Sequence, residues 1–310
     1  MRRIILLCLA LAALLAVAGC SDDEPATRVD LSRRIEAAAP APPDAVTYAY
    51  LPQYSHTISY QRHHRLVEYL ARATGLTFRQ VFPATFDDHL NMVGRGEIDI
   101  SFSNPFIYVR MADAMGARAF ARTVEPSGKP FFRGQIITRK DNTAIRSLDD
   151  CRGKRWIAVD PHSAGGYLFA LGHFMDHGLT SADFREVAFA PGPGGNQEKV
   201  VMAVYAGKYD IGSIREGTLE LLEGRIELDR IRVLAETRSY PGWVYAARRN
   251  LDPAVVDAVR MALLALDPDD PEHAAILRAA HMHAIHSADD ADYAPVRELA
   301  AKVGPTTGGD

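Results

Sequence analysis

The hydrophobic positions of this chain fall into three zones. Arg2 and Arg3 precede an uncharged apolar run from Ile4 to Ala18, too short to span a bilayer comfortably. From Ser21 to Ala45 the chain carries Asp22-Asp23-Glu24 and Ala39-Pro40-Ala41-Pro42-Pro43, and no apolar face is long enough to pack, so this stretch reads as a tether. From Val46 onward short apolar runs alternate with amphipathic stretches.

In that third zone the pattern predicts strands at 46–50, 77–82, 98–102, 135–138, 156–159, 211–214, 231–235 and 243–247. Helices are predicted over 60–74, 87–94, 105–114, 166–177, 197–205, 218–222, 253–266, 271–281 and 293–302. The first of them gathers Leu66, Val67, Tyr69 and Leu70 on one face and stops at Gly75. Strands alternating with helices predict an α/β protein with a parallel or mixed sheet covered on both faces. The alternation runs through two stretches, each the size of a small domain, and the helices after Pro253 must pack back on one of them. The expected division is a leader over 1–19, a tether over 20–45, lobe one from 46–133 plus 240–303, and lobe two from 134–239. Open α/β sheets bind ligands beyond the carboxyl ends of their strands, so two facing sheets would hold a ligand in the cleft between them.

Composition narrows the partner. With 35 Lys+Arg against 39 Asp+Glu, the net charge of −4 lacks the basic excess of a nucleic-acid binder. The leader has a charged n-region and an apolar h-region, and it ends in Leu15-Ala16-Val17-Ala18-Gly19-Cys20. That ending resembles a bacterial lipobox, in which the Cys becomes a lipidated N-terminus, so Cys20 is the expected lipidation site and a periplasmic, lipid-anchored location follows. Of the three cysteines Cys8 would then be removed and Cys20 modified, which leaves Cys151 without a partner for an intramolecular disulfide.

The most informative motif is a strand, a tight turn and a capped helix start. It occurs at Ile100-Ser101-Phe102-Ser103-Asn104-Pro105 and again from Val159 to Tyr167, with Ser163 as the cap and Gly165-Gly166 allowing close backbone approach. A third helix start follows Gly194-Gly195-Asn196. Each start presents unpaired N–H groups and the positive end of a helix dipole, and convergence of two or three makes an anion site without lysine. Plain capping is the competing reading, since every helix needs a cap; what lifts the first two is their place just after predicted strands.

Here the sequence resembles a family. Phe131 to Asp141, Ser147 to Arg155 and Asp160-Pro161-His162-Ser163-Ala164-Gly165-Gly166-Tyr167-Leu168 look like phosphonate/phosphite-type periplasmic solute-binding proteins. Val204 to Arg215 and Asp290 to Leu299 extend the resemblance over roughly 46–303. It implies an α/β, type II, two-lobed periplasmic binding protein with mixed sheets, helices on both faces and a central cleft that closes on a small oxyanion. It also implies ligand contacts at Tyr50, Ser103, Asn104, Tyr108, Ser163, Gly165, Asn196 and Arg215. The implied partners are a small anionic ligand, an ABC permease or a membrane sensor, and the membrane through the anchor; a monomer is expected, with no cofactor, no metal, no nucleic acid and no catalysis.

The sequence departs from the family where Ser163-Ala164-Gly165 stands in place of Ser-Thr-Ser, and where Asn196 stands in place of a common His. Arg215 adds a planar fork suited to carboxylates, sulfur oxyanions or phosphate-like groups, although it could instead pair with Glu216 or Glu220. The segment Gly212 to Glu220 is similar to sensor versions of the family, so transport and sensing both remain open, and with them the anion. Tyr50 is preferred among the tyrosines because it ends its strand. His281, His283 and His286 lack a completing carboxylate or Cys for metal binding, and Cys151 has no identifiable His partner for catalysis. Pro191-Gly192-Pro193-Gly194-Gly195 lacks the Lys-Ser/Thr of a P-loop and reads as a loop that frees Asn196 to face the cleft.

Overall fold

The computed structural model describes residues 44–54, 56–192 and 196–304. The leader, Cys20 and most of the tether lie outside them, as do Pro193, Gly194 and Gly195.

The strands, in chain order, are β1 (Val46–Tyr50), β2 (Phe78–Val81), β3 (Ile100–Ser103), β4 (Arg118–Val124), β5 (Phe131–Phe132), β6 (Gly134–Arg139), β7 (Arg155–Ala158), β8 (Glu186–Phe189), β9 (Ile211–Arg215), β10 (Ile231–Glu236), β11 (Tyr240–Pro241), β12 (Val244–Ala247) and β13 (Ala284–Ser287). The helices are α1 (His56–Thr74), α2 (Phe86–Gly94), α3 (Pro105–Met115), α4 (Phe169–Asp176), α5 (Asn196–Tyr205), α6 (Pro253–Leu264), α7 (Pro271–Ala279) and α8 (Ala294–Val303).

One mixed sheet has the order β13-β4-β12-β3-β1-β2, the other β10-β6-β9-β7-β8, and β5 pairs with β11 in a two-stranded ribbon where the chain passes between them. In the first sheet β1 runs parallel to β2 and β3, whereas β12 is antiparallel to β3 and β4. Five side chains of α1, Ser59, His63, Leu66, Val67 and Leu70, are buried at helical spacing, and Gly75 stops the helix with φ 71°. The helix begins at His56 rather than near Tyr60, because His56 and Thr57 are exposed and add nothing to the apolar periodicity.

The second sheet is covered on one face by Trp156, Phe174 and Phe184, and on the other by Val200, Val201, Val204 and Ile214. The first core continues into Ala164, Leu168 and Phe169, and α8 packs on α4, where a Cβ on Gly172 would fall 2.2 Å from Leu299.

Three expectations need correction. The helix from 218 to 222 is a single 3₁₀ turn at Glu220–Leu222: Gly217 and Gly224, both at positive φ, leave too few residues between them to nucleate a helix. The helix expected from Gly166 opens instead as a wide π-type turn at Ala164–Leu168 and becomes α-helical at Phe169. Strands β4, β5, β8, β11 and β13 were not predicted; β4 is built largely of Arg and Ala, and its place between β13 and β12 supplies what local propensity does not, while β5 and β11 have two residues each, too short for any pattern.

Candidate functional site

At the carboxyl ends of β1 and β3 lies a cavity of about 50 Å³. Tyr50, the last residue of β1, lines it, and its ring stacks on His63 of α1 with centroids 4.7 Å apart. The Tyr48 hydroxyl lies 3.0 Å from His63 Nδ1. Burial, with Arg62 alongside, pushes the His63 pKa down to about 3, so the ring faces the cavity uncharged. Phe102, from β3, packs at 5.1 Å on Trp243, completing an aromatic wall.

Two arginines reach the same space. The Arg62 guanidinium lies 4.1 Å from the Tyr54 ring centroid and makes no ion pair among the described residues. Arg215 ends β9 and is the one residue of the second sheet among those lining the cavity. Its Nη2 donates to Glu125 Oε2 at 2.6 Å, its guanidinium stands 5.0 Å from the Phe132 ring, and its buried Nε has no partner among the described residues. Its backbone N–H donates to Gln197 Oε1 at 3.0 Å. His281, on the lobe-one side, also lines the cavity at φ 59°, and burial, with Arg62 and Arg215 nearby, holds its pKa below the usual histidine range.

The first two of the three helix starts singled out in the sequence meet. Asn104 Oδ1 accepts from the N–H groups of Phe106 and Ile107, and its Nδ2 donates to His162 O at 3.2 Å from the other lobe. Ser163 Oγ accepts from Gly166 N–H at 3.1 Å. Both side chains therefore spend their oxygens on capping, and the amides they cap are occupied. Ser103 Oγ is buried without a partner among the described residues. Gly165 lies against Arg215: a Cβ there would sit 2.9 Å from Arg215 Cβ and 3.0 Å from Phe132 Cε2.

Of the eight expected contact residues only Tyr50 and Arg215 line the cavity; Ser103, Asn104, Ser163 and Gly165 do not, and Tyr108 and Asn196 turn to other partners. The Tyr108 hydroxyl donates to Asp290 at 2.8 Å and accepts from Ala119 N–H, so it lines a different groove with Asp113 and Arg297. Asp290 and the start of β4, not helix periodicity, hold it there, because Tyr108 lies one turn beyond Asn104 on nearly the same face of α3. Asn196 accepts from Lys199 Nζ, and its neighbour Gln197, buried at 3% exposure, is the residue that reaches Arg215 and Thr218. One residue on a helix is a rotation of about 100°, enough to swap which side chain faces inward. Arg62, His63, Glu125, Trp243 and His281 were not singled out as site residues. A polar His63 among Ser59, Leu66 and Leu70 on one helical face was the available signal; Glu125 had none, since its strand was not read.

Cys151 is buried in the second lobe, and burial pushes its thiol up to about 12, which removes it as a nucleophile at neutral pH. Among the described residues no three His, Cys, Asp or Glu side chains are grouped to hold a metal, and no helix is long and apolar enough to cross a membrane.

Two lobes, each with a mixed sheet flanked by helices, around a cavity walled by aromatic and arginine side chains, define a two-lobed periplasmic binding protein, a class that binds solutes without transforming them. Residues 48–293 match the profile of the family described as ABC transporter, phosphonate, periplasmic substrate-binding protein, and the chain belongs to that family. It is 24% identical over 227 residues to the phosphate-import protein PhnD of Mycolicibacterium smegmatis, covering 70% of each chain. A binding protein component of an ABC phosphonate transporter from Pseudomonas aeruginosa superposes with a TM-score of 0.73 at 19% identity, covering 84% of this chain and 85% of that one. PhnD1 from Prochlorococcus marinus, solved with methylphosphonate, gives a TM-score of 0.74 at 14% identity over 84% of this chain and 99% of that one.

Proposed function

We propose that this chain is a lipid-anchored solute-binding protein that captures a small phosphonate-, phosphite- or phosphate-like oxyanion in the cavity between its lobes and presents the closed form to an ABC-type permease. The observation that carries this reading is the pair of arginines, Arg62 and Arg215, brought from opposite lobes to one aromatic-walled space with a single carboxylate, Glu125. A guanidinium edge is matched in shape and charge to a tetrahedral oxyanion, and the buried setting raises the strength of each hydrogen bond. Tyr50, whose buried hydroxyl has no partner among the described residues, and the unpaired Arg215 Nε supply donors to it. The relatives described above as phosphate- and phosphonate-binding support the choice of anion.

Trp243 lines the cavity, and Trp156, the other of the chain's two tryptophans, is buried in lobe two. In a Trp156→Phe background fluorescence therefore reports on the cavity. Methylphosphonate and phosphate should quench or shift that signal saturably, and Arg62→Ala or Arg215→Ala should weaken binding by roughly tenfold or more, the loss expected when one charge-assisted contact is removed. Unchanged affinity in both variants would remove the arginines from the site.

A further inference from the structure

The Glu125–Arg215 pair has a second property. The two side chains, together with Tyr54 and His281, line both the 50 Å³ cavity and an adjoining groove of about 450 Å³, so the ion pair stands where the two spaces meet. Both partners are nearly buried, with side chains 14% and 15% exposed. Glu125 takes only the Nη2 edge of the guanidinium and leaves the buried Nε unfilled. An oxyanion that seats on the Nε–Nη2 edge must therefore share Nη2 with the Glu125 carboxylate, and in so small a space its atoms cannot keep clear of that carboxylate.

Charge points the same way. The charged residues lining the 50 Å³ cavity are Arg62, Arg215 and Glu125, while burial holds His63 and His281 below the usual histidine range. One net positive charge remains. The adjoining groove is acidic, with Glu125, Glu216 and Glu220 facing Arg215 as its one arginine. A dianion would meet repulsion from the groove and bring a surplus of negative charge to the cavity.

We infer that Glu125 is a specificity-determining residue: it makes the site require a singly charged oxyanion that brings its own hydrogen, so that one ligand oxygen accepts from Arg215 and a ligand O–H donates to Glu125. An oxyanion with no hydrogen, such as sulfate, would set oxygen lone pairs against a buried carboxylate. A buried acceptor left without a donor discriminates strongly between ligands of one size and shape. The inference rests on the oxyanion reading above and adds what Glu125 does within it.

The test compares methylphosphonate with sulfate by calorimetry on the full chain, at slightly acidic pH where the phosphonate is a hydrogen-carrying monoanion. The wild type should prefer methylphosphonate by roughly tenfold or more, and Glu125→Gln, whose amide can donate, should narrow that ratio by about tenfold. Equal affinity of the wild type for the two anions overturns the inference without any variant being needed. A ratio left unchanged in folded Glu125→Gln also overturns it, while leaving the oxyanion reading in place. If neither methylphosphonate nor phosphate binds the wild type, the oxyanion reading itself fails.

Discussion

Two buried histidines should make this protein acid-labile, with a slope that can be worked out. His63 has Tyr48 at 3.0 Å and the Tyr50 ring against it; His89 has Ser101 Oγ at 2.7 Å from Nε2. Burial pushes each pKa down to about 3. In the unfolded chain each returns to about 6.5. Above that pH both states are neutral and the histidines contribute no pH dependence. Below it the unfolded state takes up protons that the native state refuses, so stability falls as the pH falls, until the native rings protonate near pH 3. Each histidine contributes a slope of about 1.4 kcal/mol per pH unit, so by about pH 5 each has removed about 2 kcal/mol and the two together about 4. That is a large share of the roughly 5–15 kcal/mol by which a domain is ordinarily stable.

The perturbation is His63→Phe, which keeps a ring beside Tyr50 but cannot titrate. Near neutral pH it should be the less stable protein, by about 1–3 kcal/mol, because the Tyr48 hydroxyl loses the Nδ1 partner. Urea unfolding at several pH values should show that deficit shrinking by about 2 kcal/mol as the pH is lowered from about 7.5 to about 5. Carboxylates titrate alike in both proteins and cancel in the difference. A stability gap that stays constant over this range would refute the argument that His63 is neutral in the folded state.

Other outcomes follow from single contacts. Gly165→Ala puts a methyl 2.9 Å from Arg215 Cβ, well inside the 3.5–4.0 Å carbon contact distance, and should cost about 1–3 kcal/mol and lower Tm by several degrees while weakening anion binding. Gly94→Ala, where the new Cβ meets Met115 at 3.6 Å, is the control and should leave Tm unchanged or slightly raised; equal Tm values for the two variants would contradict the packing argument. Cys20→Ser should move the protein from the membrane to the soluble fraction on cell fractionation, and continued membrane retention would contradict the lipobox reading.

Several of these properties were legible before any fold was known. The periodicity of 60–74 predicts a helix whatever it packs on, because Leu66, Val67 and Leu70 fall on one face at helical spacing, although the four residues before it were not legible. Asn104-Pro105 and Gly116 mark the ends of α3 through local chemistry, a side chain that accepts backbone N–H groups and a residue that tolerates positive φ. Tyr50 and Arg215 were expected as ligand contacts through the family resemblance, Tyr50 also because it ends its strand and Arg215 for its planar fork, and both line the cavity.

What no local pattern could decide is which side chains meet across 90 residues of sequence. Glu125 and Arg215 form one ion pair because β4 and β9 belong to different sheets that end at the same gap. Arg62 enters the site because α1 packs its His63 ring on Tyr50, and Gln197 rather than Asn196 reaches Arg215 because of where α5 docks against β9. Secondary structure is set by interactions over a few residues and is written in the sequence at that range. The charge balance of the cavity depends on the packing of two lobes, and only the tertiary structure determines it.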